Sequence, residues 1–454
     1  MPTLISGISG VRGIINDGFD PDVVTRYTIA FGRMVGGGKI VIAQDTRPSG
    51  KMFKDLVESV LQSIGCDVID CDVCPTPTAQ LMVEKYDANG GIIVTASHNP
   101  IEWNALKFVG KGGLFLDAEQ HAELMRYLET PVETLEKWDV VGDVTRQYDA
   151  IRQHIEDVLA LELVDAAAVK KRRPKVVVDA INGAGSKALP GFLTALGCEV
   201  VRLNCDHDGN FVHTPEPTPA NLTGLMARVR AEKADLGLAT DPDADRLAVI
   251  DENGDPLVEE YTLVLAAYHA LRHAAADDGK VLVTNLSTTM ALDELAGRYG
   301  RKVLRTPVGE IHVARQMQQQ PTLIGGEGNG GVILPECHLG RDSLVGAGLI
   351  LTLLAETGQS IRQIANDLPR YQMVKDKIQV GSANAKDILA KLAEQYKDEK
   401  PNLADGVKLT WPDRWVHFRA SNTEPIIRVF AEAKDEATAA QLVQKFKSTI
   451  MKLM

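Results

Sequence analysis

Gly91-Ile92-Ile93-Val94-Thr95-Ala96-Ser97-His98-Asn99-Pro100 is a short apolar run that empties into small, turn-prone residues. Four apolar or glycine positions followed by a polar stop predict a buried strand, so Ser97 falls in the loop at its carboxyl end. Open α/β sheets collect their ligands at that end. Serine is a weak nucleophile by itself and needs a base, a metal or a charged setting. A capping or turn serine before Asn99-Pro100 is the plain alternative.

Outward from this segment, strand-like and helix-like patterns alternate for most of the chain, which predicts α/β layers. Phe53 to Ile64 carries a helical stripe at Leu56, Val57, Val60, Leu61 and Ile64 and closes on Gly65. Cys66 to Ile69 reads as a strand and Thr78 to Tyr86 as a helix. A second set begins at Lys175 to Ile181 and ends in Asp241-Pro242-Asp243-Ala244-Asp245-Arg246. A third begins near Pro256, and its strand Thr322-Leu323-Ile324 empties into Gly325-Gly326-Glu327-Gly328-Asn329-Gly330-Gly331. After Pro369 the pattern changes to a strand, a helix, an antiparallel pair (Val416 to Ala420, Ile426 to Ala431) and a last helix from Glu436. The expected fold is α/β: three similar domains, 1–150, 151–254 and 255–368, whose strand ends could face a common central cleft, and a smaller C-terminal α+β domain, 369–454. A length of 454 residues agrees with several domains, because single cores stop growing near about 250–300 residues.

Forty-nine basic against 61 acidic residues leave a net charge of −12, which argues against nucleic acid or an anionic membrane as the main partner. An anionic substrate then needs local cations, so loop arginines become informative. The apolar window Leu344 to Ala355 is shorter than the roughly 20 residues that span a bilayer and reads as a buried helix. The start of the chain carries no targeting pattern. Six cysteines suit a reducing cytoplasm. Cys66, Cys71 and Cys74 cluster, but their neighbours look like a strand and no fourth zinc ligand stands at a usual spacing.

Asp241, Asp243 and Asp245 crowd three carboxylates into five residues, which repel unless a cation sits among them. Oxygen-only ligands favour magnesium. Glu252 stands where a calcium loop ends, but Pro242 stiffens the second position and Arg246 fills the sixth, which needs glycine. A solvated acidic turn is the remaining alternative. Arg419-Ala420-Ser421-Asn422-Thr423-Glu424-Pro425, with Arg428 beyond, offers two arginines and three short donors around a tight loop, a cradle for phosphate. Ser421 and Glu424 also fit a helix-capping box, although strand-like residues follow. Gly183-Ala184-Gly185-Ser186-Lys187-Ala188 matches a dinucleotide-binding fingerprint with Asp206 downstream, a reading that leaves the other sites unused.

In order and spacing, Thr95–Pro100, Asp241–Arg246, Gly326–Gly330 and Arg419–Pro425 resemble the α-D-phosphohexomutase family over essentially the whole chain, and Ser9-Gly10-Val11-Arg12-Gly13 resembles its N-terminal loop. The resemblance implies that Ser97 carries a phosphoryl group and binds Mg2+ together with Asp241, Asp243 and Asp245. It implies that Glu327 and Asn329 touch sugar hydroxyls, and that Arg419, Ser421, Asn422, Thr423 and Arg428 grip the phosphate that is not reacting. Arg246 and Arg12 are the cations expected beside the moving phosphoryl group. The reaction would interconvert hexose 1-phosphate and 6-phosphate through a hexose 1,6-bisphosphate, relying on alignment and charge neutralisation. Lys107 is the candidate proton-transfer group, with a surface lysine at a strand start as the alternative. His98 is expected to order the serine loop.

Two positions depart from the family pattern: Ala105 follows Asn104 where glycine is common, and Asn329-Gly330-Gly331 replaces Ser-Gly-His. Glu327-Gly328-Asn329-Gly330-Gly331 with the later Gly340-Arg341-Asp342 looks most like the archaeal-type phosphoglucosamine mutase branch, with phosphomannomutase or phosphoglucomutase next. A metal-dependent phosphatase and a nucleotide-binding regulatory protein are the rivals from other classes. A phosphosugar is the expected partner, and an oligomer is compatible with the sequence.

Overall fold

The computed structural model describes residues 3–131, 137–275, 278–381, 383–421 and 425–454. The chain divides into two compact units, Met1–Ala274 with Asn329–Ile364, and Ala275–Gly328 with Ala365–Met454.

The first unit holds two sheets. In the larger one, Gly90–Val94, Gly38–Gln44, Cys66–Val73 and Val144–Arg146 run parallel. All five residues of Gly90–Val94 are buried, as expected for a central parallel strand covered on both faces. Trp103–Gly110 pairs antiparallel with it and sets Lys107 opposite Ile93, close to where the serine loop leaves the sheet. Gly10–Ile15 adds to the far side of Trp103–Gly110, with Arg12 opposite Ala105. In the second sheet Glu199–Leu203, Lys175–Asp179 and Leu236–Thr240 are parallel, and Leu247–Ile250 turns back antiparallel on Leu236–Thr240. The loop between these last two strands is Asp241–Arg246.

Helices Glu260–His273 and Ser343–Thr357 also belong to the first unit. Ser343–Thr357 is buried through Leu354, the helix anticipated from its apolar window, and it is packed so closely that a Cβ on Gly348 would lie 3.1 Å from Val164 and 3.2 Å from Phe192. Its N-cap Asp342 accepts from the Leu344 and Val345 amides. Among the described residues no single helix is long and apolar enough to cross a membrane.

In the second unit Val281–Asn285 lies between Val303–Thr306 and Thr322–Glu327, all parallel. A separate antiparallel sheet runs Gln372–Gln379, Ile426–Ala433, Arg414–Ala420, Val407–Trp411. Period-2 alternation puts Ile427, Val429 and Ala431 into a core with Phe446, Val443 and Leu392 of helices Glu436–Leu453 and Ala385–Gln395. Arg428 therefore falls on the opposite face. The third stretch of the sequence is thus shared: its two apolar helices and the short strand Gly331–Ile333 fall in the first unit, and its other strands in the second. A helix that is apolar all round must bury every face, and the first unit supplies the walls.

Candidate active site

Ser97 sits in a loop held open from behind. Its φ of +48° is left-handed, costly for a residue with a Cβ and kept only where the surroundings impose it. What imposes it is Arg47, which is 2% exposed. Its guanidinium donates to the carbonyls of Ser97 (2.7 Å), Asn99 (2.7 Å), Pro100 (2.6 Å) and Trp103 (3.0 Å). It also pairs with Asp45 at 3.1 Å. Thr95 donates to Asp45 and accepts from the Ser97 amide, closing the turn. Burial raises the Asp45 pKa although Arg47 and Thr95 pull it down.

The Ser97 hydroxyl lies 2.8 Å from Oδ2 of Asp241. Three buried carboxylates meet here, and each has a committed oxygen. Oδ2 of Asp243 accepts from Lys107 (2.6 Å) and Thr76 (2.6 Å). Oδ2 of Asp245 accepts from Arg341 at 2.5 Å. Oδ1 of Asp243 and Oδ1 of Asp245 are buried and have no hydrogen-bond partner. Buried anionic oxygens without donors are expensive, and a hard divalent cation satisfies them. The donor set therefore fits a metal: carboxylate oxygens of three aspartates beside one hydroxyl, with their outer oxygens steadied by Lys107 and Arg341. The aspartates also form a group whose ligand atoms all lie within 4.8 Å of one another.

The electrostatics follow from this crowding. Burial, reinforced by Asp245 and Asp243, pushes the Asp241 pKa well up. Burial acts on Asp243 too, but Lys107 and Thr76 hold it below the usual carboxylate range. Lys107 loses solvation, yet Asp243 and Asp245 outweigh that loss and raise its pKa, so it is an ammonium at neutral pH. His98 has Nδ1 3.2 Å from the Ser97 hydroxyl. Burial, followed by Arg246, lowers its pKa to about 2, so the ring is neutral. The Arg246 amide faces Asp241 Oδ1 at 3.3 Å, and its side chain stands 3.8 Å from Asp245. Arg12 reaches Asn99 at 3.3 Å.

The glycines near residue 183 are explained by the same loop. The Ala184 amide donates to the Pro242 carbonyl, and a Cβ on Gly183 would sit 2.6 Å from that oxygen. On Gly185 it would lie 2.6 Å from Thr240 Oγ1. These glycines let the backbone press against the aspartate loop, which accounts for the fingerprint without a dinucleotide. Glu252, the residue at the calcium-loop end position, is taken up by Ser360 and the Arg362 amide.

In the second unit Glu327 closes its strand with Oε1 accepting from Asn285 (2.8 Å) and the Gly309 amide (3.0 Å). Asn329, in the first unit, accepts from the Gly331 amide. Arg419 and Arg428 are direct cross-strand partners, and Lys377 pairs with Arg428 on the other side. Like charges directly opposite repel, so this row of three cations on one sheet face calls for an anion. Arg419 is also 2.7 Å from Asp405. The Ser421 amide donates to the Ile426 carbonyl, and Ile426–Ala433 is a strand, not the helix that a capping box would open; Glu424 lies outside the described residues. Asn422 and Thr423 lie outside the described residues.

Four successive stretches match the phosphoglucomutase/phosphomannomutase family: alpha/beta/alpha domain I over 3–134, domain II over 152–254, domain III over 259–371 and the C-terminal domain over 374–448. The chain belongs to this family. It is a phosphohexomutase, with the family's four-domain α/β architecture. A phosphoglucomutase/phosphomannomutase of Thermococcus kodakarensis is 42% identical over 446 residues, 96% of each chain. A probable phosphoglucosamine mutase of Methanopyrus kandleri is 34% identical, covering 97% of this chain and 96% of that one. A phosphoglucomutase/phosphomannomutase family protein from Burkholderia thailandensis has a crystal structure with a TM-score of 0.85 at 27% identity, covering 99% and 98%.

Each unit also sets beside its candidate residues some that motif reading did not assign to a site. Arg47 and Thr76 touch the serine and aspartate loops from other segments, Arg341, read only as part of a branch marker, holds Asp245, and in the second unit Lys377 joins the arginine row. Asp45-Thr46-Arg47-Pro48 does follow the buried strand Gly38–Gln44, the same strand-then-polar-loop signal that singled out Ser97. Lys377 had no such mark.

Proposed function

We propose that this phosphohexomutase works through phosphorylated Ser97, with Mg2+ held by Asp241, Asp243, Asp245 and a phosphoserine oxygen. The observation that carries the reading is the Ser97 hydroxyl 2.8 Å from Asp241 beside two unpartnered carboxylate oxygens. In the first half-reaction a sugar hydroxyl attacks the phosphorus and the Ser97 Oγ–P bond breaks. The hydroxyl loses its proton and Ser97 Oγ gains one. Lys107, an ammonium held against Asp243, is assigned to give its proton to Ser97 Oγ and to take up the one the sugar hydroxyl loses. The 1,6-bisphosphate then turns over and returns its other phosphoryl group to Ser97. The bound cation would neutralise charge on the transferring group, as Arg246 and Arg12 do from the protein side. His98, a neutral ring beside the hydroxyl, orients it. Glu327 and Asn329 contact sugar hydroxyls. Arg419, Arg428, Ser421, Asn422 and Thr423 hold the idle phosphate. Domain limits near 150, 254 and 368 and a cytoplasmic location complete the reading.

Glucosamine phosphate is the preferred sugar in this proposal, supported by the Asn329-Gly330-Gly331 loop and by the phosphoglucosamine mutases among the relatives. Glucose or mannose phosphate is the second reading, favoured by the 42% identical relative. Rates on glucosamine, mannose and glucose 1-phosphates with Mg2+ decide between them: a higher kcat/KM for glucose or mannose phosphate would replace the first assignment with the second. Release of free phosphate in place of 6-phosphate would support the phosphatase.

Arg419→Ala removes a charge-assisted contact worth about 1.5–3 kcal/mol, so kcat/KM should fall about 10- to 150-fold, largely through KM. Phosphorylation of Ser97 by added bisphosphate should change little. Equal loss of both would show that the two phosphate roles are not separable.

A further inference from the structure

Away from the aspartate loop, the first unit contains a second group of ligand-type side chains. His269 and His273 stand four residues apart on helix Glu260–His273 and so share one face. Their rings are 4.7 Å apart. Glu356, on helix Ser343–Thr357, reaches the same point: its Oε2 is 2.9 Å from His273 Nε2 and 3.9 Å from His269 Nδ1. One ligand atom from each of the three lies within 4.8 Å of the others.

The state of His269 distinguishes this group from an ordinary ion pair. The residue is fully buried, and its Nε2 faces the Leu163 carbonyl at 2.9 Å. A carbonyl can only accept, so the proton of the neutral ring resides on Nε2 and Nδ1 presents its lone pair. That Nδ1 is buried and has no hydrogen-bond partner. A backbone carbonyl on one ring nitrogen and an open lone pair on the other is the arrangement that orients a metal-ligating histidine. Around a tetrahedral zinc, ligand atoms stand about 3.3 Å apart, and the 2.9 and 3.9 Å separations bracket that spacing.

The other histidine group contrasts with it. His338 Nδ1 accepts from the Gly340 amide, so its Nε2 carries the proton and donates to Asp342. His154 lies between Thr78 and Asp342. Hydrogen bonds there commit both ring nitrogens of each histidine, unlike the open Nδ1 of His269.

We propose that His269 Nδ1, His273 Nε2 and the Glu356 carboxylate bind a divalent transition-metal ion, zinc first, with water in the fourth position. His273 and Glu356 are partly exposed, which gives an ion access from solvent. The ion ties helix Glu260–His273 to helix Ser343–Thr357 and acts as a structural staple, separate from the magnesium of the reaction.

The test uses full-length protein stripped with a chelator and kept in excess Mg2+. Zn2+ is titrated by calorimetry, and Co2+ by its visible absorption. One ion should bind per chain and raise Tm. His273→Gln and Glu356→Gln, both at partly exposed positions, should each weaken Zn2+ binding at least about tenfold and abolish the Tm rise. Mutase activity with Mg2+ should be unchanged in both variants, which keeps this result independent of the catalytic reading. Equal Zn2+ affinity in the parent and both variants, or no Zn2+ binding in excess Mg2+, overturns the proposal.

Discussion

Ser97→Ala should lower mutase turnover by at least about 10^4-fold, the scale on which loss of a covalent nucleophile acts. The fold should persist. Alanine meets the same cost as serine at the left-handed φ of +48°, and Arg47 grips the backbone carbonyl, which the substitution leaves in place. Mass spectrometry after incubation with a hexose 1,6-bisphosphate and Mg2+ supplies the direct readout. The parent protein should gain one phosphoryl group on Ser97, and the variant none. Turnover by the variant within tenfold of the parent would exclude a phosphoserine route. The nearby hydroxyls of Thr95 and Thr76 cannot substitute, because each already donates to a buried carboxylate.

Arg47→Ala should be the most destabilising single change near the site. It removes four donors to loop carbonyls and leaves Asp45 buried without its cation. Breaking a buried ion pair from one side costs about 3–5 kcal/mol, so Tm should drop by several degrees. Asp45, its pKa already raised by burial, should then take up a proton. Release of the Ser97 turn should also depress phosphorylation of the serine well below the parent rate. Arg47→Lys restores charge without the planar fork and should recover only part of the loss. An Arg47→Ala protein with parental Tm and parental loading would show that the loop holds its shape without the guanidinium.

Much of this site was legible before any fold was known, because the informative features are local. A short apolar run ending in Thr95-Ala96-Ser97 marks a strand end wherever it occurs, and the run proved to be Gly90–Val94. Three aspartates in five residues announce a charge problem by their spacing alone. The apolar window at Leu344 to Ala355 declared a buried helix, found as Ser343–Thr357. Arg47 was harder to read. An arginine after a buried strand could have been flagged by the same logic, but its partners are carbonyls, and every residue has one. Lys377 was not readable, since nothing in its neighbourhood says that antiparallel register sets it beside Arg428 and Arg428 beside Arg419.

The amino-acid order alone determined the α/β layering, the family and the loops proposed to carry the chemistry, because hydrophobic periodicity and turn residues act over a few positions. Tertiary packing decided which oxygen of each aspartate is committed and which stays open. Lys107 reaches Asp243 across 136 positions and Arg341 reaches Asp245 across 96. Such contacts follow from the stacking of strands and helices, and that stacking depends on side-chain volumes and register throughout the core. No window of neighbouring residues contains that information.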